Sequence, residues 1–236
     1  MEPFKFKEFT IHQDRCAMKV GTDAVLLGSW TPLKHSPKNV LDIGSGTGII
    51  ALMLAQRSNA ETIDAIEIEE NAYEQCVENF EQSPWSDRLF CYHASLLEFA
   101  EEIDETYDLI VSNPPFYSAD FKTENIQRDL ARFADALPFE HLLESVSKLL
   151  SKKGLFSVII PFKEEEKFIG LASKLNLFPK NILHVKGVPT SEIKRSLITF
   201  SFSNSDMELD EIVIEKSRHQ YTDAYINLTK DFYLKM

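Results

Sequence analysis

An α/β fold, doubly wound around a mostly parallel sheet with an antiparallel C-terminal edge, is what this sequence predicts. Three observations carry that expectation. Strands and helices alternate from about residue 39 to residue 160, a glycine-rich turn joins the first strand of the series to its helix, and the last third of the chain reads as strands with little helix between them. Right-handed crossovers between parallel strands then put helices on both faces of the sheet.

The elements follow in order. Asn39–Ile43 is a short apolar run ending at Gly44, the pattern of a buried strand, and Ile49–Arg57 has helical apolar spacing. Thr62–Ile68 reads as a second strand, a polar helix follows over Glu70–Gln82, and Arg88–His93 and Tyr107–Ser112 are the third and fourth strands. A helix around His141–Leu150 leads into a fifth strand at Gly154–Ile160. Ile182–Lys186, Leu197–Phe202 and Glu211–Glu215 are the strands expected to form the antiparallel edge. Thr222–Leu234 closes the chain as an amphipathic helix with Tyr225, Leu228 and Phe232 on one side. No repeat, low-complexity tract or flexible linker divides the sequence. One domain over 1–236 is expected, with an N-terminal arm over 1–30 that caps the ligand site, a core over 38–160, and C-terminal strands and helix over 161–236.

Composition bounds the function. The chain has 236 residues, 44% apolar and 26% charged, an ordinary balance for a globular protein. Its start lacks an apolar signal region, and no run approaches the roughly 18–20 apolar residues of a membrane span, so a cytoplasmic protein is expected. Cys16, Cys76 and Cys91 are isolated and lack metal-ligand or disulfide spacing; buried thiols and no metal are expected. The formal charge of −12 argues against bulk attraction to nucleic acid but leaves local basic patches open.

Asp42-Ile-Gly44-Ser-Gly46-Thr-Gly48 joins the first core strand to its helix, and in an open α/β sheet ligands bind at that carboxyl end. Glycines let the backbone turn tightly and leave room for a ligand. Glu67 ends the next strand nineteen positions past Gly48, the interval at which a carboxylate binds a ribose. A dinucleotide fingerprint would need glycine where Ile49 stands, and its pyrophosphate needs a helix N-terminus. Asp42 before the loop suits a positively charged ligand. The pattern favours S-adenosylmethionine over NAD.

Asn113-Pro114-Pro115-Phe116 directly follows the fourth strand and therefore faces the same crevice. Its chemistry fits an exocyclic amine, whose lone pair is delocalised into the ring. An acceptor on each N–H draws that nitrogen toward tetrahedral geometry. The side-chain oxygen of Asn113 supplies one acceptor and the carbonyl of the rigid Pro114 the other. Catalysis is then mainly positioning and electrostatics, without a strong general base. Phe116 would stack on an extruded base.

The glycine loop and Asn-Pro-Pro-aromatic motif together resemble the amino-methyltransferase branch of the Rossmann-like (class I) methyltransferases. Phe6–Trp30, Gln82–Trp85 and Tyr221–Met236 extend the likeness along nearly the whole chain, to the bacterial tRNA1(Val) adenine-N6 methyltransferases. That resemblance implies methylation of the adenine immediately 3′ of the anticodon, position 37, with S-adenosylmethionine as cofactor and tRNA as partner. It also implies that Lys19, Gly21 and Thr22 lie near the methionine end of the cofactor. Two positions depart from the family pattern: Phe116 stands where Tyr is usual, and Ser95 where an Asp often binds the cofactor adenine. Ser95 can accept that hydrogen bond more weakly.

Basic residues that could meet RNA cluster at both ends, at Lys5, Lys7, Arg15 and Lys19 and then at Lys194, Arg195, Arg218 and His219. Lys122, Arg128 and Arg132 follow the Asn-Pro-Pro motif. Singly, each residue of the end clusters is better explained as a solvated surface charge, and Lys122, Arg128 and Arg132 are better placed for RNA because they lie just past the motif. An anticodon loop suits such a surface, because RNA is read mostly through unstacked bases. A monomer is the default expectation. Two other functions stay open: a protein glutamine N5-methyltransferase, which would carry a helical recognition region ahead of the loop, and an inactive RNA-binding module on the same fold. The intact Asp42, Glu67 and Asn113 argue against the second.

Overall fold

The computed structural model describes residues 2–115 and 137–236. A short hairpin of β1 (Phe4–Lys5) and β2 (Thr10–Ile11) opens the chain and is followed by helix α1 (Thr22–Trp30). The central series is β3 (Asn39–Ile43), α2 (Ile49–Arg57), β4 (Thr62–Glu67), α3 (Glu70–Glu81), β5 (Leu89–His93), α4 (Leu96–Glu102) and β6 (Tyr107–Ser112). Then come α5 (Phe139–Leu149), β7 (Leu150–Pro161), α6 (Glu165–Ser173), β8 (Phe178–Lys186), β9 (Ile193–Ser201) and β10 (Glu208–Val213). The second hairpin, β11 (Glu215–Ser217) and β12 (Gln220–Tyr221), leads to α7 (Asp223–Thr229).

Eight strands form one sheet in the order β10-β8-β9-β7-β6-β3-β4-β5. The strands β3 to β7 are mutually parallel wherever they pair. The antiparallel component predicted at the C-terminus is narrower than expected: it is β9 alone, inserted between β7 and β8 and antiparallel to both, whereas β10 runs parallel to β8. Alternation along the buried strands sorts side chains onto two faces. Val40, Leu109, Val111 and Ile159 join a core with α1, α2 and the N-terminal aromatics; Leu41, Ile110, Val158 and Ile160 join the other, with α4, α5 and α6.

The segment read as an arm over 1–30 ends in α1, whose residues Ala24 to Ser29 are all buried. The guanidinium of Arg57, at the end of α2, donates to the carbonyls of Gly28 (2.6 Å) and Thr31 (3.1 Å), fastening the two helices where the last carbonyls of α1 lack intrahelical partners. The chain ends meet. Phe6 forms an isolated antiparallel bridge with Tyr233, and Lys7 donates its backbone N–H to Phe232 and its ammonium to the Lys230 carbonyl at 2.6 Å. Among the described residues, no helix is long and apolar enough to cross a membrane.

Candidate cofactor and base-recognition site

Strand register fixes which residues share the carboxyl edge of the sheet. Ile43 pairs with Ser112 on one side and with Ile66 on the other, and Glu67 pairs with His93. The Ser112 hydroxyl donates to the Ile43 carbonyl at 3.0 Å. Gly44 and Asn113 therefore leave adjacent strands at the same level, with Glu67 one strand further along. Asn113 is half-buried, Pro114 buried and Pro115 exposed. Phe116 lies outside the described residues, as do Lys122, Arg128 and Arg132.

The loop itself is built on left-handed backbone. Gly44, Gly46 and Gly48 have φ of 70°, 54° and 77°, which disfavour a side chain at each. At Gly48 space forbids one as well, since a Cβ there would lie 2.5 Å from the Phe80 ring and 2.8 Å from the Cys76 sulfur. The backbone N–H groups of Gly44 and Ser45 donate to Ile66, and that of Gly46 donates to the Glu67 carboxylate at 2.8 Å. The other Glu67 oxygen accepts from Ile68 and Glu69 at 2.9 and 3.0 Å. Glu67 thus holds the loop's shape while its carboxylate remains half-exposed at the strand end.

Asp42 is fully buried. One of its oxygens accepts the Ala51 N–H at 3.1 Å, tying β3 to the first turn of α2; the other has no hydrogen-bond partner among the described residues. Burial pushes its carboxyl up to about 7, with a smaller push from Glu67 against the pull of the Ala51 N–H. An unpaired buried acceptor beneath a glycine loop fits a ligand that brings positive charge there. Such a ligand would favour the carboxylate and expel its proton.

Residues 12 to 20 lie across this edge as a strap, pinned by two polar side chains on the buried stripe of α3. The Asn79 amide, almost wholly buried, accepts from the His12 N–H at 2.8 Å and donates to the carbonyls of His12 and Thr47, both at 2.9 Å. One side chain therefore joins the strap to the glycine loop. Gln75 accepts the Arg15 N–H at 3.2 Å, and Gln13 folds back to accept the Val20 N–H at 2.8 Å. The Lys19 ammonium closes the turn by donating to the carbonyls of Gln13 (2.5 Å) and Cys16 (2.8 Å). Cys16 is buried in the strap; burial, and then the nearby Glu67, push its thiol up to about 11. Gly21 and Thr22 follow at the start of α1, both exposed. The sequence reading missed Asn79 and Gln75. The available signal was polar residues interrupting the apolar stripe Ala72, Cys76, Phe80 of α3.

Other expected contacts have structural duties here. Ser95 caps α4: its hydroxyl accepts the Glu98 N–H at 3.2 Å and donates to the Glu98 carboxylate at 2.7 Å. Arg15 pairs with Glu74 and Glu78 on α3 at 3.2 and 3.3 Å, so its charge is engaged within the protein. Arg195 pairs with Asp23 at 2.8 Å and fastens the start of β9 to α1, whereas Lys194 is exposed. Cys76 is buried and Cys91 half-buried beneath the loop, where Ser45 contacts both sulfurs at 3.5 and 4.0 Å.

A sheet whose carboxyl edge gathers a glycine loop, a strand-end acid and an Asn-Pro-Pro motif defines the class of Rossmann-like methyltransferases. Solved structures agree on the fold. A predicted O-methyltransferase from Agrobacterium tumefaciens superposes with a TM-score of 0.67 at 19% identity, covering 89% of this chain and 96% of that one. The ribosomal protein L11 methylase of Lactobacillus delbrueckii gives 0.53 at 16% identity, covering 75% and 76%. The profile of the methyltransferase small domain matches residues 18–159. Proteins named tRNA1(Val) (adenine(37)-N6)-methyltransferase match over almost the full length. The one from Flavobacterium johnsoniae is 64% identical over 99% of this chain and all of its own, and the one from Bacteroides fragilis 46% identical over 99% and 98%. This chain belongs to the methyltransferase small-domain family and, within it, to the family of those tRNA1(Val) (adenine(37)-N6)-methyltransferases.

Proposed function

We propose that this protein methylates N6 of adenine 37, the residue 3′ of the anticodon, in tRNA1(Val), with S-adenosylmethionine as the methyl donor. The observation that carries the reading is the pairing of Ile43 with Ser112, which sets Asn113 and Pro114 beside the glycine loop. The donor supplies a methyl group on a positively charged sulfur. Gly44, Gly46 and Gly48 give it room against the backbone, and Asp42 supplies negative charge beneath the loop. Glu67 takes the ribose hydroxyls, Lys19, Gly21 and Thr22 border the methionine end, and Ser95 borders the adenine end. The Asn113 side-chain oxygen and the Pro114 carbonyl accept the two N–H groups of the target amine and localise its lone pair. Phe116 stacks on the extruded base. The nitrogen loses a proton to solvent once alkylated, so no strong base is required.

Incubation with methyl-labelled S-adenosylmethionine, total tRNA, ribosomal proteins and release factors tests the reading directly. Label on N6 of one adenine of a valine tRNA is the expected product. Label on a protein glutamine amide would overturn it.

A further inference from the structure

The joined chain ends enclose a groove of about 610 Å³ between β1, the start of α1 and the C-terminal tail. Phe4, Tyr221, Tyr225 and Tyr233 line it together with Lys5 and Lys235. We infer that this groove binds unstacked nucleotides of the RNA substrate next to the target adenine, an inference that rests on the tRNA reading above.

Tyr221 is the exposed ring of this wall; Phe4 and Tyr233 are half-buried and Tyr225 is buried behind it. Tyr221 and Tyr225 have centroids 5.3 Å apart, Phe4 and Tyr233 are 6.2 Å apart, and Tyr221 remains 39% exposed. A smaller hollow of about 320 Å³ shares Ile214 and Glu215 with the groove and extends it to Lys194. The β11–β12 hairpin stands at its side. Ser217 pairs with Gln220, so its two-residue turn carries Arg218 and His219 into solvent.

Cations border the groove and the hollow that extends it. Lys5, Lys194, Arg218 and Lys235 are exposed and form no ion pair among the described residues. Unneutralised cations beside an exposed aromatic ring, here Tyr221, are the combination that holds single-stranded nucleic acid: the cations track phosphates and the ring stacks on a base. Glu215 repels phosphate, so base edges pass over it, and a carboxylate there can accept from an exocyclic amine.

Position agrees. Ile214 and Glu215 donate their N–H groups to Lys186 and Gly187 just past the carboxyl end of β8. That is the edge at which Gly44 and Asn113 leave β3 and β6, with β10 four strand spacings from β6, about 19 Å. Gly21 and Thr22 line the groove as well, so it opens toward the expected methionine end of the cofactor.

Binding of a fluorescent anticodon stem-loop to the full-length protein, alongside methylation of tRNA, tests the groove. Tyr221→Ala should weaken RNA binding on the order of tenfold, the scale of one lost base–aromatic stack, while Tyr221→Phe stays within about twofold of wild type. Lys5→Ala with Lys235→Ala should flatten the slope of log affinity against log salt by about 1.4, corresponding to two phosphates. Cofactor affinity should not change in any of these variants. A wild type that methylates tRNA while these variants keep its affinity and salt slope overturns the groove alone. Failure of the wild type to methylate tRNA, with RNA binding still lost in Tyr221→Ala, overturns the substrate reading and keeps the groove. Absence of any RNA binding by the wild type overturns both.

Discussion

The glycine loop and the clasp formed by the chain ends are specified in opposite ways. The loop takes its shape from residues Asp42 to Gly48 and from partners on the neighbouring strand and helix. The clasp depends on pairs far apart in sequence: Phe6 with Tyr233, Phe9 with Trp85, His12 with Asn79, and Lys7 with Lys230. Under the proposed function, chemistry common to many substrates would sit in the local region, and the surface that frames one substrate would be assembled from distant parts. In a chain of net charge −12, Lys5 and Lys235 lie where the two ends meet and form no ion pair among the described residues.

Substitutions in the two regions should separate accordingly. Gly48→Ala is expected to have the largest effect on stability, about 3 kcal/mol or more, because a positive φ and the Phe80 ring both oppose a Cβ. Urea unfolding would measure it; a wild-type midpoint would mean that the loop is not so constrained. Asn79→Ala removes the link between strap and loop and leaves the His12 N–H and the carbonyls it served without that partner. It should cost about 2 kcal/mol and weaken cofactor binding together with stability. Unchanged cofactor affinity in a destabilised Asn79→Ala would uncouple the two regions.

Asp42 predicts a pH effect of defined sign. Its folded-state carboxyl lies at about 7, above the ordinary 3.8 it regains on unfolding. Below about pH 4 both states are protonated and the group is neutral in the balance. Between about 4 and 7 the unfolded chain releases the proton first, so stability falls as pH rises. Asp42→Asn should abolish that component, and its stability relative to wild type should rise across the window. Parallel curves for the two proteins would contradict the assignment. Arg15→Ala should do least, under about 1 kcal/mol, since its ion pairs with Glu74 and Glu78 are solvent-screened. A larger loss would give the strap an electrostatic anchor at its surface as well as its buried one at Asn79.

The central strands were legible because buried parallel strands are continuous apolar runs with abrupt polar ends. Asn39–Ile43 and Tyr107–Ser112 are found with the boundaries read from sequence. Helix α1 was not, because it is buried nearly all round and lacks the polar face that gives a helix its period. The closing helix stops at Thr229, short of the predicted Leu234, because the tail bends back to pair Tyr233 with Phe6, a contact that no local pattern announces. Neither could the sequence show that β9 alone runs antiparallel, since strand order is set by which edges meet in the folded sheet. At the candidate site, the glycine loop, Glu67 and Asn113 were readable from motif and spacing. Asn79 and Gln75 were not, because a polar residue on a helix reads as solvated until its burial is known.

Single-turnover methylation by Asn113→Ala and Asn113→Asp, at saturating tRNA and S-adenosylmethionine, tests the central claim most directly by separating chemistry from binding. If the Asn113 oxygen accepts a hydrogen bond from the target amine, Ala should lower the rate on the order of 100-fold or more. Asp keeps an acceptor at nearly the same place and should retain substantially more activity, and both variants should bind cofactor within a few-fold of wild type. Equal rates for Ala and Asp, or an Ala variant close to wild type, would make Asn113 a turn residue and contradict the mechanism.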